Sequence, residues 1–157
     1  MPFAKLIGLA LLAACGVLGG VLLTRFERAK CLQTEAFVDL IRNVRLQIDC
    51  FSTPLGNILA SLDDKLYAAL GAPRAADLST LLSQTVLLVD RDIAKYLWDF
   101  AAALGSGYRE EELRYCDHYL ALLTPLAQKA RNELEKRIKL AFILPPSLSA
   151  ALILLLW

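Results

Sequence analysis

LLAACGVLGGVLL, residues 11–23, admits two incompatible readings, and the architecture of the whole chain turns on the choice. Leu12 to Cys15 fits a bacterial lipoprotein signal, in which the chain is cut before the cysteine and the cysteine carries the lipid. Alternatively the stretch is the middle of a membrane-crossing helix and Cys15 is a small apolar residue within it. A lipoprotein signal ends its apolar region at the cysteine and continues into a polar tether. Here Gly16 to Leu23 follow Cys15 without one polar residue. That apolar length serves a span and is wasted on a tether.

Working outward, Leu6 to Leu23 forms an uncharged run of 18 residues between Lys5 and Arg25, and Leu140 to Trp157 forms a second of 18. About 20 apolar residues cross a bilayer core as a helix. The composition agrees: 57% of the 157 residues are hydrophobic, and the mean hydropathy is +0.48. Such a chain is too apolar for an ordinary soluble domain, and its length leaves room for one domain at most. The sequence therefore predicts transmembrane helices over 6–23 and 140–157, with a domain over 24–139 between them. Gly16 and Gly20 form a GxxxG, a spacing that lets another membrane helix approach closely.

Basic residues orient the spans. Arg25, Arg28 and Lys30 follow the first, and Lys129, Arg131, Lys136, Arg137 and Lys139 precede the second. Basic flanks stay in the cytoplasm, so the central domain is expected there. Apart from Lys5, all 17 basic residues and all 16 acidic ones lie between 24 and 139. The charges nearly cancel, and the basic ones gather toward the membrane. No basic stripe remains for nucleic acid.

The periodicity of the domain is helical, with no alternating strand pattern. Phe37, Ile41, Val44, Ile48 and Phe51 line one face of a helix expected to run straight out of the first span. Thr53 can cap and Pro54 can start a second helix, with Leu55, Leu59, Leu62, Leu66 and Leu70 on one face and Gly71 as its stop. Asp77 can cap a third through Leu78, Leu81, Leu82, Thr85 and Leu88. Asp90 or Asp92 can open a fourth, with Ile93, Leu97, Phe100 and Leu104 inward and an end at Gly105. Trp98 reads as core. From Tyr108 onward, Leu113, Cys116, Leu120, Leu123, Ala127, Ala130 and Leu134 make a narrow seam like that of a coiled coil. Pro125 keeps the phase of that seam, which favours a bend over a break. Its natural partner is the helix over 24–51. The fold class expected is all-α, a helical bundle with coiled-coil character.

Chemistry is sparse. Cysteines 15, 31, 50 and 116 contain no CxxC, and a cytoplasmic domain keeps thiols reduced, so neither disulfide nor zinc site is expected. Cys116, Asp117 and His118 are adjacent and point in different directions on a helix, which does not suit shared ligation. There is no phosphate loop and no nucleophile elbow. The sequence predicts no catalytic residue, no metal and no cofactor. Two acidic clusters remain: Asp63 with Asp64, and Glu110, Glu111 and Glu112 at a helix start, with Tyr108 beside them. They read either as solvated surface, the second favoured by the helix dipole, or as a docking surface for a basic partner.

The layout resembles a known family. A short amino-terminal span, a long basic helix, Thr53-Pro54-Leu55 at a turn, Phe100 to Gly105 as F-x-x-x-LG, a long helix and a span at the extreme end are similar to stage III sporulation protein AB. The likeness covers essentially the whole chain, although that family often carries Asp and Gln where Tyr108 and Glu112 stand here, and glycines where Pro145 and Pro146 stand. The resemblance implies a scaffold without enzymatic activity, in the assembly joining mother cell and forespore, on the mother-cell side of the outer forespore membrane. Its domain would be similar to those of F-type platform proteins of type II secretion. Implied partners are the bilayer, a secretion-type ATPase (stage III sporulation protein AA) and other stage III sporulation A proteins, with room for a homo-oligomer. The rival readings are a lipid-anchored extracytoplasmic adaptor processed at Cys15 and a small enzyme using Cys116 and His118.

Overall fold

The computed structural model describes residues 2–51, 55–105 and 107–156. They are all helix and connection, with no strand among them. The elements are α1 (Pro2–Phe51), α2 (Leu55–Ser61), α3 (Asp64–Leu70), α4 (Leu78–Gln84), α5 (Arg91–Ala103) and α6 (Arg109–Leu156). The chain divides into two compact units, one of residues 1–29 with 131–157 and the other of residues 30–130.

The larger unit is a bundle whose core takes residues from every helix. Phe37, Ile41, Val44 and Ile48 of α1 are all buried, as the 4-3-4 spacing requires, while the turn at Ser52 to Pro54 lies outside the described residues. Around them pack Ile58 and Leu59 of α2, Tyr67 and Leu70 of α3, Leu78, Leu81 and Leu82 of α4, Leu97 and Phe100 of α5, and Cys116, Leu123 and Ala127 of α6. The ring of Phe100 meets that of Tyr119 edge to face, with centroids 5.4 Å apart. α1 and α6 run antiparallel here. Arg109 reaches Ile48, and Arg45 reaches Asp117.

Three details correct the sequence reading. The second helix is broken at Asp63, which adopts extended geometry and accepts from the Lys65 N–H to cap α3. The Tyr67 hydroxyl then donates at 2.8 Å to the Leu59 carbonyl near the end of α2, which also accepts from the Leu62 N–H at 3.3 Å. The leucine spacing survives the break, which is why it does not register as one. The third helix ends at Gln84, so that Leu88 falls in the non-helical connection to α5, and the buried Thr85 turns its hydroxyl back to Leu81. Trp98 is 42% exposed: on α5 it stands about 130° from the inward line of Ile93, Leu97 and Phe100, which carries it out of the core.

Other stops fall where the local chemistry puts them. Gly71 closes α3 in the left-handed region, with φ 69°, which costs glycine little. Asp77 caps α4 by accepting from the Thr80 N–H. Asp90 opens α5 through its backbone, its carboxylate being taken by Lys30 at 2.6 Å. α6 continues through the exposed Pro125 as one helix.

In the smaller unit, Gly16 and Gly20 of α1 are buried. Large apolar side chains face outward: Leu11, Leu18 and Leu22 are 61%, 61% and 66% exposed, and Phe142, Ile143, Leu144 and Leu148 of α6 are also exposed. Glu27 pairs with Arg137 at 3.5 Å. Among the described residues, no helix is long and apolar enough to cross a membrane. The expected spans, 6–23 and 140–157, fall in part on positions whose side chains lie outside the described residues.

Candidate docking surface

The second acidic cluster is built by the start of α6. The Tyr108 carbonyl accepts from the N–H groups of Glu111 and Glu112, at 2.9 and 3.0 Å, so Tyr108 is the residue from which the helix starts. Its ring is 85% exposed. Glu110 is exposed, whereas Glu111 and Glu112 are half-buried. Glu111 folds over Gly107: a Cβ there would lie 2.8 Å from its carboxylate oxygen. A side chain at position 107 would have to displace it.

Arg109, unremarked in the sequence, fixes this end of the bundle. Its guanidinium donates to the Ile48 carbonyl at 3.2 Å and to the carbonyl and carboxylate of Asp49. A cation is thereby set on the carbonyls at the end of α1, where the helix dipole favours one. Arg45, one turn earlier, pairs with Asp117 at 2.5 Å and lies 3.9 Å from Asp49. The Arg45 hydrogen bond holds the Asp117 carboxyl below the usual carboxylate range. The pair is exposed, and such bridges contribute little to stability.

The first acidic cluster has a different neighbourhood. Asp63 caps α3, and Asp64 pairs with Arg74 at 2.6 Å. Arg74 also donates to the Ala60 carbonyl and lies over the Tyr67 ring at 5.5 Å. Asp63 and Asp64 thus serve the α2–α3 junction, and Glu110 to Glu112 the start of α6. No described hydrogen bond or ion pair joins the two groups, so they are two acidic places rather than one assembled site.

Cys116, Asp117 and His118 diverge. The thiol is buried in the core, the carboxylate meets Arg45, and the imidazole is exposed with its ring 5.3 Å from Tyr119. Burial pushes the Cys116 thiol up to about 11, helped by the negative charges of Asp117 and Glu112. A nucleophilic cysteine needs the opposite shift. Exposed Cys50 is therefore expected to react rapidly with a thiol reagent at pH 8 in the folded protein, and Cys116 only on unfolding. A folded-state pKa raised in this way means that stability holds below the unfolded pKa and declines as pH rises toward 11. Equal labelling rates at positions 50 and 116, read by peptide mass spectrometry, would contradict the burial. Among the described residues, no group of three or more His, Cys, Asp or Glu is placed to hold a metal.

One buried polar side chain is passed over by the periodicity. Gln33, buried on α1, donates to the carbonyls of Leu70 at 2.8 Å and Val86 at 3.0 Å, and accepts from the Leu88 N–H at 2.7 Å. Through Val86 and Leu88 its amide ties the connection before α5 to α1.

No protein-family model, no curated protein and no solved structure matches this chain.

Proposed function

We propose that the chain is a non-enzymatic membrane scaffold of the sporulation channel assembly. In this reading its helical bundle is cytoplasmic, its two terminal helical segments cross the membrane, and a secretion-type ATPase docks on the bundle together with other stage III sporulation A proteins. The observation that carries it is the reversal of burial between the two units. In residues 30–130 a core of large apolar side chains, Phe37, Ile41, Leu81, Leu97 and Phe100 among them, is inside. In the unit of the chain ends Gly16 and Gly20 are inside and Leu11, Leu18, Leu22, Phe142 and Ile143 are outside. Water penalises that arrangement, and hydrocarbon does not. Small residues between helices with large ones toward lipid are what helix association in a bilayer requires. The basic flanks and the order of elements shared with the sporulation family supply the orientation and the assembly.

Cys50, exposed on α1, tests the topology. In intact cells producing the chain with Cys15→Ala, an impermeant maleimide is expected to leave Cys50 unlabelled until the membrane is opened. The protein should stay with the membrane in alkaline carbonate. Labelling from outside, or release by carbonate, contradicts the reading.

Docking has its own test. Charge reversal by Glu111→Lys with Glu112→Lys is expected to preserve the helix signal and to reduce recovery of the ATPase with the scaffold at least tenfold, the effect of about 1.4 kcal/mol. The comparison belongs at low salt, where exposed charges count most. Unchanged recovery there assigns these acids to ordinary surface.

A further inference from the structure

The smaller unit carries unpaired positive charge at one level. Its acids are Glu27, Glu133 and Glu135, and the first two converge on a single cation. Arg137 lies 3.5 Å from Glu27 across the helix pair and 3.1 Å from Glu133 one turn back. Arg25 and Arg28 of α1 and Lys136 and Lys139 of α6 are exposed, and none of these four makes an ion pair among the described residues. The contact of Glu27 with Arg137 also sets the register of the two helices. α1 followed backward from it and α6 followed forward belong to one compact unit. Arg25 and Lys139, each two residues from the contact toward the chain ends, therefore stand at one height. Arg28 and Lys136, each one residue the other way, stand about 4.5 Å from them. Beyond the tier of Arg25 and Lys139 the surface turns apolar on both helices at once, with Leu22 and Leu23 of α1 and Leu140, Phe142 and Ile143 of α6 exposed.

We infer that this double tier of cations binds the headgroup phosphates of anionic phospholipid, an inference that rests on the membrane reading above. Two observations choose that occupant. The first is charge: the acids that could neutralise the tier inside the chain are turned to Arg137, which leaves Glu135 as the one exposed acid against four exposed cations. The second is what adjoins the tier. An acidic protein surface answers the charge but not the bare leucines, Phe142 and Ile143 that begin beside it on both helices. An anionic bilayer presents hydrocarbon and then phosphate in that order. The Arg25 and Arg28 guanidinium groups suit phosphate because each can donate to two of its oxygens. Zwitterionic lipid carries the same phosphate, but its own choline cation competes with the protein, so preference falls on headgroups of net negative charge. The unit is held most firmly where such lipid is abundant.

The test places the full-length chain in phosphatidylcholine bilayers at low salt, with a trace of spin-labelled phosphatidylglycerol or spin-labelled phosphatidylcholine. The lipid immobilised at the protein surface is expected to favour phosphatidylglycerol at least about threefold, as several cations near a headgroup layer should. In about 1 M salt, which screens exposed charges, that preference should fall toward one. Combining Arg25→Gln, Arg28→Gln, Lys136→Gln and Lys139→Gln should remove it at low salt with the helix signal unchanged. Arg91→Gln with Arg114→Gln, exposed cations of the larger unit, should leave it intact. Immobilised lipid without headgroup preference, or a preference that survives the fourfold replacement, overturns the inference and leaves the membrane reading standing. No immobilised lipid of either kind, with release of the chain by alkaline carbonate, overturns both.

Discussion

Replacing Gln33 by Leu is expected to destabilise the bundle by about 3–5 kcal/mol, although the substitution keeps the volume and adds apolar surface. Three backbone groups depend on that amide: the Leu70 and Val86 carbonyls and the Leu88 N–H. A buried polar group left without a partner costs about 1–3 kcal/mol, and the partly buried Val86 carbonyl recovers some of this from water. Against a typical total of about 5–15 kcal/mol, the variant should lose cooperative melting near physiological temperature, read by circular dichroism of the detergent-solubilised protein. Gln33→Glu should be no better than Leu at neutral pH, since its carboxylate keeps an acceptor for Leu88 but sets an oxygen against the Leu70 and Val86 carbonyls. A Leu variant that melts as wild type would show that those three groups find other partners.

Phe100→Ala should be of similar size, about 3–5 kcal/mol, by another mechanism. The ring is fully buried and rests edge-on against Tyr119. Its removal leaves a cavity between α5 and α6 that helices fixed by many other contacts cannot close. Phe100→Leu, which fills most of the space, should restore more than half of the loss. Equal loss from Leu and Ala would mean that ring geometry rather than volume decides. Outward-facing Trp98 supplies the control: Trp98→Ala should change stability by less than about 1 kcal/mol.

These contrasts mark what periodicity can and cannot carry. It placed Phe37, Ile41, Val44 and Ile48 inside, because a helix with one wet face repeats its apolar residues every three to four positions. It placed the stops at Gly71 and the cap at Asp77, because those residues act on their immediate neighbours. It missed the break at Asp63, where a carboxylate that belongs on a helix surface also makes a good cap, and nothing local separates the two uses. It assigned Trp98 to the core by residue type, although the spacing of Ile93, Leu97 and Phe100 already turns it outward. Gln33 and Arg109 lay beyond it altogether. Their partners are 37 to 61 residues away, and a polar residue on a helix is ordinarily surface. The acidic clusters were visible as charge, but the division of labour between them depends on Arg74, a connection of tertiary structure.

The antiparallel course of α1 and α6 through the bundle also fixes how it responds to force. Contacts from Arg109 to Ile48 and from Arg45 to Asp117 place the end of α1 beside the start of α6, at one end of the bundle. With a rise of about 1.5 Å per residue, positions 30 and 130 both lie roughly 30 Å from there, at the opposite end. Parting the chain at those two points loads the contacts between α1 and α6 one after another, the geometry of a zipper, and not all together in shear. Opening should therefore begin at low tension and reach the Arg109 clasp on Ile48 and Asp49 last. Tension drawing both positions the same way leaves the helix pair intact. The bundle thus yields to lateral separation of its two attachments while transmitting a common pull.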